Sequence, residues 1–237
     1  MELTFLGRGS GFNPDEGSNS AFFIDSGEMF LIDSGESTFR TLLENDLLDS
    51  ASAINIFITH THSDHVGSLG SLVLHAFAIE QMVVNFIIGE KMDYLGDLRV
   101  LLRMYGLTED MYRFVDVSSY DGRYSRFKKF RYFKNKHCDE LETCGILFET
   151  DKGLVFYSGD MNNLAPLEEI IKSGRQIDKI YIDSDNDPVP NIYHASIHLL
   201  NKMIPPALKQ KVYCMHFNND KCIEDAKAYG FNIVKLV

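Results

Sequence analysis

Residues 60–65 read His-Thr-His-Ser-Asp-His and follow directly on the apolar run at 54–59. Imidazole nitrogens suit zinc and similar borderline ions, and a carboxylate adds a hard oxygen ligand. On a tight loop alternate residues can face one point, so His60 and His62 can share one ion while Asp64 and His65 turn towards a second. The simpler alternative is a polar loop rich in histidine by chance. It sits poorly with three of the chain's eight histidines falling here, straight after a strand-like segment. The metal reading requires a buried strand to lead into the loop.

A chain of 237 residues is compatible with one large domain or two small ones, and we expect a single domain over 1–237. With 45% hydrophobic and 24% charged residues it can bury a full core, which argues against disorder. A formal net charge of -11 disfavours a stable nucleic-acid partner, because such proteins carry dominant basic surfaces. The four cysteines, Cys138, Cys144, Cys214 and Cys222, lack C-x-x-C spacing and read as reduced thiols. The chain opens on a strand-like segment rather than a secretory signal, and polar residues interrupt the apolar span at 69–88. These features predict a cytoplasmic protein with no membrane partner.

In chain order, strands are expected at 2–6, 20–25 and 29–33, the last two joined by the hairpin signal Ser26-Gly27-Glu28. The glycine-rich stretch 7–11 precedes a strand rather than a helix, which favours a structural loop near the site over a phosphate cradle. Asp33 could orient a ligand histidine or cap the following helix, and local sequence does not separate the two. Apolar spacing predicts helices at 37–48, 69–79 and 92–105, with His75 structural on the second, and a strand at 82–88. The β-α-β-α order implies layered α/β architecture. Residues 123–136 interleave basic and aromatic side chains. Such a stretch could attract an anionic substrate, but a solvated strand face is the simpler reading.

Further ligand types stand at later strand ends. His137 follows the basic stretch, Asp160 follows the strand at 153–157 in Ser-Gly-Asp, and His216 follows the strand at 211–215. A helix at about 164–173 and a strand at 179–182 lead to Asp183, and His194 and His198 lie beyond it.

In its order of ligands and their strand-end placement, His60-x-His62-x-Asp64-His65, His137, Asp160 and His216 resembles the metallo-β-lactamase fold superfamily over essentially the whole chain, Asp33 included. The resemblance implies a four-layer αβ/βα sandwich with two divalent metal ions in a cleft at one edge of the facing sheets. It assigns His60, His62 and His137 to one ion, Asp64, His65 and His216 to the other, and Asp160 to a bridge. A histidine at position 62, where the di-iron flavoprotein branch has glutamate, favours zinc hydrolysis, with manganese as the other candidate ion. Asp160 stands in place of the cysteine of first-class β-lactamases. His194-Ala195-Ser196 before His216, with Asp183 as an earlier acidic partner, is similar to the ribonuclease Z branch.

That branch implies phosphodiester hydrolysis with Asp64, His194 and Asp183 as the catalytic set. His194 would protonate or stabilise the departing oxygen while Asp183 orients its imidazole; a helix-capping histidine is the alternative. Ribonuclease Z enzymes hold transfer RNA with a protruding arm, but only 33 residues (161–193) separate Asp160 from His194, which leaves no room for one. Together with the acidic charge this favours a small substrate, and the segment Gly9-Ser10-Gly11-Phe12-Asn13-Pro14, with Gly17-Ser18-Asn19-Ser20, and the compact length resemble the phage anti-Pycsar proteins and their bacterial relatives, which hydrolyse cyclic mononucleotides such as cyclic CMP and cyclic UMP. The expected partner is a small nucleotide, and the resemblance implies a homodimer, in a host cytoplasm if the chain is phage-encoded. Transfer RNA 3′-end processing and a metal-bearing protein that only sequesters a nucleotide are the alternatives.

Overall fold

The computed structural model describes residues 1–89, 95–187 and 193–237. Its first half runs β1 (Thr4–Gly7), β2 (Ser20–Asp25), β3 (Glu28–Ile32), α1 (Thr38–Glu44), β4 (Ala53–Phe57), α2 (Ser63–Val66), α3 (Leu69–Ala78), β5 (Val84–Ile88), α4 (Leu95–Met104) and β6 (Tyr112–Asp116). The second half runs β7 (Lys129–Asn135), β8 (Thr143–Thr150), β9 (Gly153–Tyr157), α5 (Ala165–Lys172), β10 (Ile177–Asp183), α6 (Ile197–Met203), β11 (Val212–Met215), α7 (Asp220–Ala228) and β12 (Asn232–Ile233).

Each half builds one mixed six-stranded sheet, ordered β1-β2-β3-β4-β5-β6 and β12-β11-β10-β9-β8-β7. The plan is the same in both: two antiparallel pairings, then three parallel ones whose crossovers carry the helices. Parallel pairing forces the chain back across the sheet, and the crossing segment covers one face.

Strand periodicity then sorts the core into three layers. In β3, Met29 and Leu31 pack with Leu42, Leu72 and Leu98 of the first helical layer. Phe30 and Ile32, on the opposite face of the same strand, pack between the sheets with Phe57, Phe148 and Tyr157. On the far side, Phe156, Ile180 and Val212 pack against Leu167, Leu200 and Ile223 of the second helical layer. Helix, sheet, sheet and helix therefore stack as the expected four-layer αβ/βα sandwich. The strands read as continuous apolar runs because both faces are covered.

Element ends differ from the sequence reading where backbone geometry intervenes. Asp33 falls just outside β3 with φ 63°, so the strand stops one residue early. Helix α1 ends at Glu44, because Asp46 takes φ 52° and turns the chain. Positions 92–94 of the expected 92–105 helix lie outside the described residues. Only part of the 123–136 stretch is strand, since Tyr124 and Phe127 turn into the inter-sheet core. Its cations meet local acids: Lys134 pairs with Glu142 at 2.6 Å and Lys128 with Asp151 at 2.8 Å. His75 meets Glu80 at 3.2 Å and packs edge-on to Phe39, a local structural contact. Among the described residues no helix is long and apolar enough to cross a membrane.

Candidate metal centre

The candidate ligands are gathered from the carboxyl ends of strands in both sheets, the edge where α/β folds place their sites. His60 and His62 follow β4, Asp64 and His65 lie on the one-turn α2, His137 follows β7, Asp160 follows β9, and His216 follows β11. His216 itself takes φ 60°, a left-handed turn that ends its strand. All seven side chains converge.

One group consists of His60 Nε2, His62 Nδ1 and His137 Nε2. His62 Nδ1 is 3.0 Å from His60 Nε2 and 3.3 Å from His137 Nε2. Asp160 Oδ2 lies 3.8 Å from the first and the last. The second group consists of Asp64, His65 and His216: Asp64 Oδ2 is 3.5 Å from His65 Nε2 and 3.2 Å from His216 Nε2. Asp160 reaches this group too, with Oδ1 3.4 Å from His65 Nε2 and Oδ2 3.3 Å from His216 Nε2. Four nitrogen or oxygen ligands about 2.0–2.1 Å from a tetrahedral ion are themselves about 3.3 Å apart. The observed spacings match those edges.

The donor chemistry agrees with the geometry. His65 Nε2 and Asp160 Oδ1 are buried without a hydrogen-bond partner, an uncommon condition in a folded protein unless something else satisfies them. Burial pushes His60 well below the ordinary histidine range, with His65 adding to the effect, and burial and His137 lower His62. Both rings are thus held neutral with lone pairs to offer. Burial opposes protonation of His216, yet Asp160, Asp183 and Asp64 lift its pKa to about 10. Carboxylates crowded at this end call for positive charge at its centre.

The candidate ligand rings are held from behind. Asp33 Oδ2 accepts a hydrogen bond from His65 Nδ1 at 2.8 Å, and the same carboxylate takes the Thr59 backbone N–H at 2.7 Å and the Thr59 hydroxyl at 2.8 Å. Thr59 Oγ1 in turn lies 3.1 Å from His60 Nδ1. One carboxylate therefore steers an imidazole in each group, directly or through the threonine. Of the two roles open for Asp33, orientation is the one observed, while Ser37 stands at the start of α1. The role of Thr59 escaped the sequence reading. Its signal was present only as a hydroxyl residue directly before a ligand.

Asp183, the last residue of β10, accepts from His194 Nδ1 at 2.9 Å and from the Met161 backbone N–H at 3.1 Å. Its Oδ1 lies 3.5 Å from His216 Nδ1, a second contact the sequence did not suggest. Burial works against a charged His194, but Asp183 outweighs it and raises the ring's pKa. The preceding residue contributes as well: the Tyr193 carbonyl accepts from His137 Nδ1 at 2.7 Å. His198 is not part of this group; it bonds Tyr229 and the Asn186 carbonyl. The site opens into a cleft of about 440 Å³ lined by Ser10, Gly11, Phe12, His62, Tyr193 and His194, among others.

A family model described as "Anti-Pycsar protein Apyc1" matches residues 1–235. The Apyc1 protein of Bacillus phage 010DV004 is 42% identical over 77 residues, 32% of this chain and 29% of that protein. Zinc phosphodiesterase ELAC protein 1 of Homo sapiens is 38% identical over 74 residues, 31% of this chain and 20% of that protein. The matched stretch spans less than a third of either relative. Among solved structures, the metallo-β-lactamase fold protein YhfI from Bacillus subtilis superposes with a TM-score of 0.71 at 13% identity, covering 99% of this chain and 95% of that one. The chain has that fold.

Proposed function

Because this chain belongs to the anti-Pycsar protein Apyc1 family, we propose that it is a metal-dependent phosphodiesterase that hydrolyses a small cyclic nucleotide of the cyclic CMP or cyclic UMP type. The observation that carries the reading is Asp160, within 3.8 Å of ligand nitrogens in both groups, with the His194–Asp183 pair beside it.

His60, His62 and His137 would hold one divalent ion, Asp64, His65 and His216 the other, with Asp160 between them. Neutral imidazoles favour zinc, with manganese the alternative. Two such ions, when bound, would supply Lewis acidity towards a phosphate and would lower the pKa of water to about 7. The protein's own residues do the rest. Asp33 and Thr59 keep the ligand rings aimed, so the site needs little rearrangement when substrate arrives. Asp183 binds Nδ1 of His194, which leaves Nε2 as the ring atom able to pass a proton to the departing oxygen. Opening a cyclic phosphodiester by water breaks one P–O bond, and the alkoxide that leaves needs that proton.

Size and charge support a small substrate. A cleft of about 440 Å³ is at the small-molecule end of the range for ligand sites. Residues 161–193 include α5 and β10, which leaves too little chain for an arm that grips transfer RNA. The net charge of -11 also works against such a polyanion.

The test is incubation of the metal-loaded protein with cyclic CMP, cyclic UMP, cyclic AMP, cyclic GMP and a precursor transfer RNA, with products resolved by chromatography. Linear nucleoside monophosphates are expected. Cleavage of the transfer RNA alone would replace this reading with 3′-end processing, and retention of intact nucleotide would replace it with sequestration.

A further inference from the structure

Phe12 is 92% exposed, yet it lines the cleft that holds the ligand cluster. A single exposed apolar side chain needs no explanation by itself. This one sits on a loop whose backbone is tied down at several points. The Ser10 N–H donates to the Phe217 carbonyl at 3.1 Å, and the Asn13 side-chain amide donates to the same oxygen at 3.0 Å. The Asn13 N–H closes back on the Ser10 carbonyl at 3.0 Å, while the Gly9 N–H meets Gly17 at 2.8 Å. Phe217 directly follows His216, so the loop is fastened to the residue next to a candidate ligand. It is also pressed against another ligand: a Cβ at Gly11 would sit 3.2 Å from the Asp64 carboxylate. The backbone at Phe12 is thus held beside the centre.

Tyr193 is the second aromatic of the cleft, 47% exposed, with its ring centroid 6.1 Å from that of His137. Asp64 belongs to one ligand group and His137 to the other, so the two aromatic residues border different ends of the centre. A ligand whose phosphate lies at Asp160 carries the rest of its structure outward between these walls. An aromatic face exposed to water on an anchored backbone suits a flat, polarisable ring, and neither residue offers a pattern of donors that would select one base.

Building on the cyclic-nucleotide reading above, we infer that Phe12, assisted by Tyr193, is the surface on which the nucleobase of the substrate stacks, and that recognition of the base is by its π-face rather than by its hydrogen-bonding edge. The cleft then discriminates between phosphodiesters that carry a base and those that do not, and only weakly among bases.

The chain contains no tryptophan, so Phe12→Trp places its sole indole at the proposed contact. Titrating this variant with cyclic CMP and with the base-free methyl riboside 3′,5′-cyclic phosphate, while following turnover of both, tests the inference directly. Saturable quenching of indole fluorescence by the nucleotide, and none by the base-free analogue, is expected. In Phe12→Ala the ratio of kcat/KM for the nucleotide over the base-free analogue should fall about tenfold, the scale of one lost stacking contact, with Phe12→Tyr restoring it. Nucleotide turnover without quenching, or an unchanged ratio in Phe12→Ala, overturns the stacking role. Quenching without turnover upholds the stacking surface and removes the hydrolytic reading, so the two proposals fail separately.

Discussion

Asp183 accepts a hydrogen bond from His194 at 2.9 Å, and its second oxygen lies 3.5 Å from the far nitrogen of the candidate ligand His216. One carboxylate thus touches the proposed proton donor and the candidate metal centre. Removing His194 should spare the ions and cost chemistry. We expect His194→Ala to keep both metals by elemental analysis and to lose on the order of 10²–10⁴ in kcat. Asp183→Asn should lose turnover and also weaken metal retention. Unchanged turnover in His194→Ala would take the ring out of the reaction.

Asp33 offers a test of ligand orientation. It receives His65 and both donors of Thr59, so Asp33→Asn puts an amide where donors already converge. Metal affinity, measured by competition with a chromogenic chelator, should fall by about 10–100-fold. Thr59→Val removes only the hydroxyl that links Asp33 to His60 and should have the smaller effect. Equal affinity in Asp33→Asn and wild type would leave the carboxylate a purely structural role.

Metal removal should destabilise the fold as well as silence it. An ion that binds the folded chain and not the unfolded one stabilises by mass action, and here its loss leaves His65 Nε2 and Asp160 Oδ1 buried and unpaired. Treatment with a strong chelator is expected to lower Tm and abolish turnover, and added zinc should restore both. Asp160→Ala and His62→Ala should behave like the stripped protein. A Tm indifferent to chelation would mean that the cluster holds no ion in solution.

Far from the centre, Asp25 ties β2 to the segment before β7. Burial works against its ionisation, but the Arg126 N–H at 2.6 Å and the hydroxyls of Ser125 and Ser26 outweigh it and hold the pKa below the ordinary carboxylate value. A carboxyl depressed in the folded state stabilises fully above its unfolded pKa, and that contribution disappears as pH falls through the folded value. The stability advantage of wild type over Asp25→Asn, read by urea denaturation, should therefore be constant near neutrality and shrink below about pH 4. An advantage that persisted at pH 3 would contradict this account.

Much of the candidate centre was legible because its candidate ligands are local or recur in a repeated place. His60, His62, Asp64 and His65 are neighbours in the chain, His216 follows a strand directly and Asp160 follows one after Ser158-Gly159, where parallel strands converge on one edge. Thr59 was not legible, because a hydroxyl residue after a strand is ordinary until a carboxylate 26 positions earlier is seen to meet it. Phe12 could be quoted as part of a motif, but nothing local tells an exposed aromatic in a cleft from one in plain solvent. Strands β6 and β12 and helix α7 were also missed. They are short or marginally apolar, and their place depends on neighbours already formed.

By itself the sequence determined the layered α/β class, the residue types on offer as candidate ligands and the shortness of the segment between Asp160 and His194. Each of these is carried by local periodicity, residue chemistry or a count of positions. Tertiary structure alone decided that Asp33 steers rings rather than caps a helix, that Asp183 faces two histidines, and that the loop carrying Phe12 is pinned to the Phe217 backbone beside His216. Those facts are contacts between residues far apart in the chain. Such contacts exist only once two sheets have packed face to face and brought their strand ends to a common edge.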